Sequence, residues 1–562
     1  MISKEMLAAA RGERKAELVF KNGQVFDSYN GVFRTQDLAV HDGTVVGVGT
    51  YEGELEVDAT DRWLIPGFID AHVHLESSML TPGPFSRLLV AKGTTAVVAD
   101  PHELANVYGM SAIDYLLEAD RHTTLDIYVM LSSCVPATDM ETSGAVLTAR
   151  DLKTRMGEDQ VLGLGEMMNY PGVINGDDEV YRKLELAKKF RKRIDGHIET
   201  SDRYSFNAYA LGGIEANHEC TTKEMGELNL AGGLKLMIRE GTATKNLEAL
   251  LPAVNEYNRN QCMFCTDDRH PDHIMHEGHI DAIVRRAIAW GLAPEAAILM
   301  ATLNPAQFFG MTGHGSLTPG KKADVLVLRD LETVDIEAVY KEGIKVAQDG
   351  EFLFTDPVEI PLPEGISVGL NMKPVSREDL ALPQRETHPV MVIVPNDIVT
   401  KRRDLSEAEI QEADLHKIVV VERHHGTGNV GVGLVEGFDF HGGAIASTIA
   451  HDSHNLILAG DNDDDLLAAI EAVERIDGGL VVVSGGKVLA EVSLPVGGLL
   501  SKENYETFEP KLKALRKALQ DLGDSGRFDA FMTLGFLALP VVPSLKMTDR
   551  GMFDVEAFRH ID

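Results

Sequence analysis

Between about residues 66 and 310 the chain repeats one pattern: a short apolar run, a polar break, then a longer stretch with apolar residues at helical spacing. The strand-like runs are GTTAVVAD, DIYVMLSS, VLGLGEMM, RIDGHIET, GIEANHE, GGLKLMIRE and NQCMFCTDD. Segments such as DEVYRKLELAKKFRKR, TKNLEALLPAVNEYNRN and DHIMHEGHIDAIVRRAIAWG read as helices between them. Strand then helix, repeated, predicts a parallel sheet, and the length suits a (β/α)8 barrel. A doubly wound sheet satisfies the same pattern.

The flanks read differently. From Glu17 to about Leu64, short β runs are separated by turns, with Asn22-Gly23 and Asp42-Gly43 as hairpin signals. A matching set returns from Gly315, in GSLTPGKKADVLVLRDLETVDIEAVYKEGIKV. Two distant β segments around one α/β region predict a single composite β domain, a small sandwich built from both ends. After Phe354 the composition shifts, and Pro357, Pro361, Pro363, Pro374 and Pro383 mark an irregular connection. Beyond it, β runs (PVMVIVPN, KIVVVERH, GLVVVSGGKVLAEV) and helices (DDDLLAAIEAVERI, NYETFEPKLKALRKALQDL) predict a further α/β domain. The expected division is 1–65 and 313–355 for the β domain, 66–312 for the barrel and 356–562 for the C-terminal domain.

Composition narrows the function classes. The chain has 562 residues, too many for one compact core and enough for about three or four domains. Its net charge of −34 argues against nucleic acid or an anionic membrane as partner, since both need basic surfaces. Four cysteines, Cys134, Cys220, Cys262 and Cys265, are too few for a disulfide scaffold and fit a reducing cytosol. The N-terminus lacks the apolar core of a secretory signal, and no apolar run reaches membrane-spanning length. A soluble, cytoplasmic protein is expected.

The most specific chemistry lies in WLIPGFIDAHVHLESS, residues 63–78. Side chains alternate along a strand, so His72 and His74 point the same way and their imidazoles can converge on a metal ion. Asp70 is placed to accept a ring N–H behind them, and Glu76 follows closely. The string resembles the amidohydrolase superfamily signature PGxIDxHxH, in which both histidines bind metal at the C-terminal end of the first barrel strand.

In a parallel barrel the C-terminal strand ends converge on one site, so polar groups should recur there. They do: after His72 and His74 come Asp100, His102 and Glu103, then Glu166, His197, His218 with Glu219, and Asp267 with Asp268. Taken singly, each such residue is more often structural; the ordered recurrence points to a two-metal centre. In that scheme Glu166 bridges, His72, His74 and Asp267 hold one ion, and His197 and His218 hold the other. Asp267 would also take a proton from the attacking water and shuttle it to a leaving group.

The strings DAHVHLESSMLTP, DPHELANVYG, GLGEMMN, DGH, HECTT, CTDDRHPDH, HIDAIVRRAI and, near the C-terminus, GAIASTIAHDSHNLILAGDND resemble the bacterial adenine deaminases of this superfamily. The likeness covers nearly the whole chain, including the tail after residue 354. It implies hydrolysis of adenine to hypoxanthine and ammonia, a purine-salvage reaction, at a binuclear manganese or iron centre, with zinc as an alternative. Glu219 is the candidate for protonating the purine N1, and Asp268 for accepting a hydrogen bond from the imidazole edge. Neighbours in a strand face opposite ways, so Glu219 and Asp268 need a strand end or bulge to share the site with His218 and Asp267. For Asp268 the structural reading is a helix cap or an ion pair with Arg269.

Asp100, His102 and Glu103 have no required place in a two-metal scheme and read as supports for the ligands or as an accessory metal site. His451 and His454, after the small-residue run GGAIAST, read as a lid or substrate contact, or as a polar loop packed on its own domain. The family usually carries Ala-Pro after the fifth-strand histidine, whereas here His197 is followed by Ile198 and Glu199, which predicts a different local loop.

Other signals carry less. Gly426, Gly428 and Gly431 match a dinucleotide fingerprint, but the continuation VGVGLVEGFDF is β-rich, so a turn between strands is expected. Cys262 and Cys265 lack the further ligands of a zinc site and read as strand filler. A cyclic-amide hydrolase could use the same metals, yet those enzymes commonly carry a carboxylated lysine where Glu166 stands. A scaffold that has lost its metals would not retain every ligand position. A homodimer is expected from size and class.

Overall fold

The computed structural model describes residues 2–354, 360–363, 365–366, 369–395 and 397–561. Pro357 and the division at 355/356 lie outside the described residues.

Eight parallel strands form the central unit: Phe68–Val73, Thr94–Ala99, Asp126–Leu131, Val161–Met167, Arg193–Gly196, Ala216–Asn217, Lys235–Arg239 and Cys262–Cys265. The fifth and sixth are joined where the Glu215 N–H donates to Ile194 O, 2.9 Å. Beyond the eighth strand, the Asp267 N–H donates to His72 O (3.0 Å) and the His74 N–H to Asp267 O (3.1 Å). The sheet therefore returns to its first strand and is a barrel, which excludes the doubly wound alternative. Ile69, Ala71, Ala96, Val98, Met130, Leu162, Met237, Met263 and Cys265 form one buried cluster with Phe308 and Phe309. Residues from strands all round the ring can meet only inside it, so the interior is a packed core. Each fully buried Ile, Val, Leu, Met or Phe side chain there contributes roughly 1.5–3 kcal/mol.

The long stretch expected as one helix before Gly291 is two, Pro271–His276 and Ile280–Ala289. Gly278, at φ +112°, breaks it, and this turn lets His279 bury its ring between Thr94 (2.9 Å) and Thr266 (3.3 Å).

The N-terminal strands and the strands Val325–Asp330 to Glu351–Phe352 join in one nine-stranded sheet through Trp63–Pro66, which pairs with both sets. The bent first strand, Ala16–Asp27, brings Phe20 onto Tyr340 at 4.8 Å, so the sheet closes on itself around Leu18, Leu38, Val40, Leu64, Val325 and Val327. Gly67 separates this sheet from the first barrel strand.

The C-terminal region is an eight-stranded mixed sheet. Its apolar runs are continuous because both faces are covered. Val419, Val421, Leu458, Val481 and Val483 pack with Leu466, Ala469 and Val473 of helix Asp463–Arg475. The alternate residues Ile418, Val420, Ile457 and Val482 join the large core that runs into the barrel layer. The glycine-rich match at Gly426 to Gly431 connects antiparallel strands His416–Val421 and Val430–Glu436, with Glu422 accepting the N–H groups of His424, His425 and Thr427. No helix starts there, as dinucleotide binding would need. The loop after Ala450 docks on the mouth of the barrel.

Candidate metal centre

The strand ends deliver the expected residues to one buried spot. His72 and His74 place their Nε2 atoms 3.1 Å apart. Asp267 Oδ1 lies 3.0 Å from His74 Nε2 and 3.5 Å from His72 Nε2. Glu166, nearly fully buried, faces both halves: Oε1 is 3.2 Å from His74 Nε2, while Oε2 is 2.5 Å from His197 Nδ1 and 3.1 Å from His218 Nε2. Asp267 has φ +57° and sits past the end of the eighth strand. His218 and Glu219 likewise follow the end of the sixth, Ala216–Asn217. Leaving the strand geometry removes the alternation that would point Glu219 away, and its Oε1 is 3.5 Å from His218 Nε2 and 3.7 Å from His197 Nδ1.

The supporting residues are partly unexpected. His72 Nδ1 is held by Asp195 Oδ2 at 2.8 Å, both buried, and His74 Nδ1 by the Asp100 carbonyl at 2.9 Å. Asp70, expected on a ring N–H of the pair, instead accepts the His72 backbone N–H (3.2 Å) and lies 3.2 Å from His279 Nε2, because the strand turns its carboxylate toward Thr266. The buried Glu76 accepts the Leu104 N–H at 3.0 Å. Asp100 braces the fourth strand, accepting the Glu166 N–H at 2.9 Å and the Ser132 hydroxyl at 3.1 Å. This contact requires Gly165, where a Cβ would stand 2.1 Å from Asp100 Oδ2. Arg239, at the end of the seventh strand, is buried and donates from Nη1 to both Glu219 and Asp267 Oδ2, the latter at 2.8 Å.

Asp268 receives the Ser77 hydroxyl. Arg269 points elsewhere, to Gly278 O, Glu240 O and Glu277, so the ion pair considered for Asp268 does not form. His102 opens the helix after the second strand with Nδ1 3.2 Å from Glu166 Oε1. Glu103 turns the other way, to His451 Nδ1 (2.7 Å) and His454 Nε2 of the C-terminal domain. His454 is buried, and the His451 ring stacks on Phe536 at 4.5 Å. Cys262 and Cys265 are buried in the eighth strand.

The electrostatics are those of a site built for cations. Burial would raise the carboxylates of Glu166 and Asp267, but His197 on one and Arg239 on the other hold them well below their usual range. Burial would lower His72 and His197; Asp195 lifts the first to about 10, and Glu219 lifts the second to about 9. A site that draws this much positive charge onto imidazoles also attracts a dication. His218 gives the sharpest test of fit: it is fully buried and neither ring nitrogen has a hydrogen-bond partner. Such a group is costly unless something satisfies it, and a metal on Nε2 beside Glu166 would satisfy that nitrogen. Among the described residues, several groupings of potential ligand side chains, His72–His74–Asp267 and Glu166–His197–His218 among them, have ligand atoms within 4.8 Å of one another. The residues fit a binuclear centre.

Asp195 and Arg239 were not singled out from the sequence. Asp195 precedes His197 by two positions, the same spacing that marks His72 and His74, and Arg239 is the last strand residue within GGLKLMIRE. Applying the strand-end rule to every charged residue would have found both.

Fold and site together define a metal-dependent hydrolase of the barrel type. The amidohydrolase family profile matches residues 63–346, and the chain belongs to the amidohydrolase family. The profile of the adenine deaminase C-terminal domain matches residues 396–559. Full-length relatives agree. The chain is 44% identical to "Adenine deaminase 2" of Carboxydothermus hydrogenoformans, over 99% of this chain and 98% of that protein. It is 44% identical to "Adenine deaminase" of Bacillus licheniformis over 99% and 98%, and 41% identical to that of Clostridium acetobutylicum over 99% of each.

Proposed function

We propose that this chain hydrolyses adenine to hypoxanthine and ammonia, a step of purine salvage. The observation that carries the reading is Glu166, a carboxylate on the fourth strand with one oxygen toward His74 and the other toward His197 and His218. Relatives named adenine deaminase, matched end to end, give the substrate.

His72, His74 and Asp267 would hold one divalent ion, His197 and His218 the second, with Glu166 shared between them. Manganese or iron is the proposed occupant and zinc the alternative, since imidazole and carboxylate suit all three. When bound, the two ions supply Lewis acidity that makes a hydroxide nucleophile accessible near neutral pH.

The remaining work falls to side chains. Water supplies both protons of the reaction: C6 gains oxygen and loses its amine, one proton goes to N1 and one leaves on ammonia. Asp267 takes a proton at Oδ2, the oxygen turned away from His72 and His74, and returns it to the departing amine. Glu219 carries a proton to N1, its carboxylate fixed by the Arg239 guanidinium. Asp268, oriented by Ser77, accepts from the imidazole edge. Asp100, His102 and Glu103 support the centre or extend it, and His451 and His454 cover its mouth from the C-terminal domain.

The working unit proposed is a cytoplasmic homodimer with adenine as its small-molecule partner, divided at 1–65 with 313–355, 66–312 and 356–562. Neither nucleic acid nor membrane is a partner in this reading; among the described residues no helix is long and apolar enough to cross a membrane.

The test is ammonia release from adenine, adenosine, guanine and cytosine by Mn²⁺-loaded protein, with Asp267→Asn alongside. Release from adenine alone, reduced about 10²–10⁴-fold in the variant, is expected. A fully metallated protein that releases none would refute the reading and favour a cyclic-amide substrate.

A further inference from the structure

The two-ion centre leaves a second set of ligand-type groups unused. Glu103, His451 and His454 bring a carboxylate and two imidazoles within 4.8 Å of one another where the barrel meets the C-terminal domain. The set is made by tertiary contact, since about 350 positions separate Glu103 from the two histidines.

The three groups do not play equal parts. The Ala450 N–H donates to His454 Nδ1 at 3.2 Å. That nitrogen is therefore the acceptor of the neutral ring, Nε2 keeps its proton, and it donates to Glu103 Oε2. His454 holds the carboxylate in place and has no lone pair to offer a metal at Nε2.

Glu103 Oε1 meets a different situation. It lies 2.7 Å from His451 Nδ1 and 3.6 Å from His102 Nε2, two imidazole nitrogens facing one oxygen. Ligands on an ion with bonds of about 2.0–2.1 Å stand roughly 3.0–3.4 Å apart, and these two separations bracket that spacing. Asp452, adjacent to His451, supplies an independent observation. It is 5% exposed, and its Oδ2 has no hydrogen-bond partner. A carboxylate oxygen buried without a donor calls for a cation beside it.

We propose that Glu103, His451 and Asp452, together with His102, form a third divalent-cation site between the barrel and the C-terminal domain. Two imidazoles and two carboxylates select manganese, iron or zinc over calcium or magnesium. The ion takes the place of the proton that otherwise links His451 to Glu103. It ties the C-terminal domain to the barrel, and His102, with Nδ1 toward Glu166 Oε1, spans the distance to the two-ion centre. The count of three rests on the two-ion reading; the location does not.

The experiment uses the full-length protein, stripped with chelator, reloaded with Mn²⁺, desalted and analysed for metal per chain. Three ions are expected for the wild type and two for Glu103→Gln and for His451→Asn. Crystals of the loaded wild type should show an anomalous peak at the manganese edge between Glu103 and His451, which keeps the test decisive if a variant fails to fold. Two ions in the wild type, with no peak there, would overturn the inference while leaving adenine turnover to be judged separately. Three ions retained in a folded Glu103→Gln protein would also overturn it. Turnover absent from a protein with three ions would refute the proposed function and leave the site standing.

Discussion

Asp195→Asn isolates the contribution of one supporting contact to metal binding. Asp195 and His72 are both buried, and the His72 Nδ1 to Asp195 Oδ2 distance is 2.8 Å. This contact commits the ring to a tautomer with its proton on Nδ1, leaving the Nε2 lone pair aimed at the cluster with His74 and Asp267. Asparagine keeps the volume but removes the charge. A hydrogen bond to a charged group is worth about 1.5–3 kcal/mol, and at about 1.4 kcal/mol per factor of ten this is a loss of metal affinity of roughly 10–150-fold. The range measured for partners of metal-binding histidines is about 10–100-fold, so the two routes agree. His218 Nδ1 stands 4.0 Å from the same Asp195 oxygen, so both halves of the centre should weaken. The assay is competition with a chromophoric chelator for Mn²⁺, followed by turnover at saturating metal. Affinity should fall and most of kcat return when metal saturates. Unchanged affinity in a folded variant would refute the reasoning, and lost kcat with intact affinity would give Asp195 a different role.

Arg239→Met should destabilise the fold by about 3–5 kcal/mol in urea, because it leaves the buried carboxylates of Glu219 and Asp267 facing each other without their shared cation; a midpoint within error of wild type would disprove the pairing. Gly165→Ala places a Cβ 2.1 Å from Asp100 Oδ2, so it should cost about 1–3 kcal/mol and lower metal content by displacing Glu166. Burial pushes the Lys546 ammonium down to about 7, with Nζ donating to Ile398 O and Phe536 O. Between that value and the usual lysine value of about 10.4 the unfolded chain binds a proton that the folded chain does not. Stability should therefore rise with pH through this window, by up to ~1.4 kcal/mol per pH unit. Lys546→Met should flatten the rise between pH 7 and 9.5 in urea titrations, and an unchanged slope would exclude Lys546 as its source.

The barrel and the meeting of histidines and carboxylates at its strand ends were legible in the sequence because both obey short-range rules. Each apolar run that predicts a strand is one, and the polar residue after the run lies at the strand's C-terminal end, as with Glu166, His197 and Asp267. His72 and His74 could be paired from a spacing of two alone. The two-part β sheet was also readable from the short β runs on either side of the barrel, but Asn22-Gly23, expected as a hairpin turn, lies inside the strand Ala16–Asp27 at a bulge, and Asp42-Gly43 makes the turn.

What the sequence could not decide depended on register and on contact between distant segments. Strand alternation leaves the closure of the sheet open; the hydrogen bonds of Asp267 with His72 and His74 made it a barrel. Alternation alone would also have turned Glu219 away from His218, and only the end of the strand brought it round. Asp70 and Asp195 are equally plausible partners for the His72 ring on spacing, yet the side chain of the first turns to Thr266 and that of the second crosses the barrel to His72. The meeting of Glu103 with His451 and His454 has no local signature at all. Side-chain type and strand period are local properties, so the chain itself carries them; which carboxylate reaches which imidazole is set by how the packed layers bring remote strand ends together, and that exists only in the folded molecule.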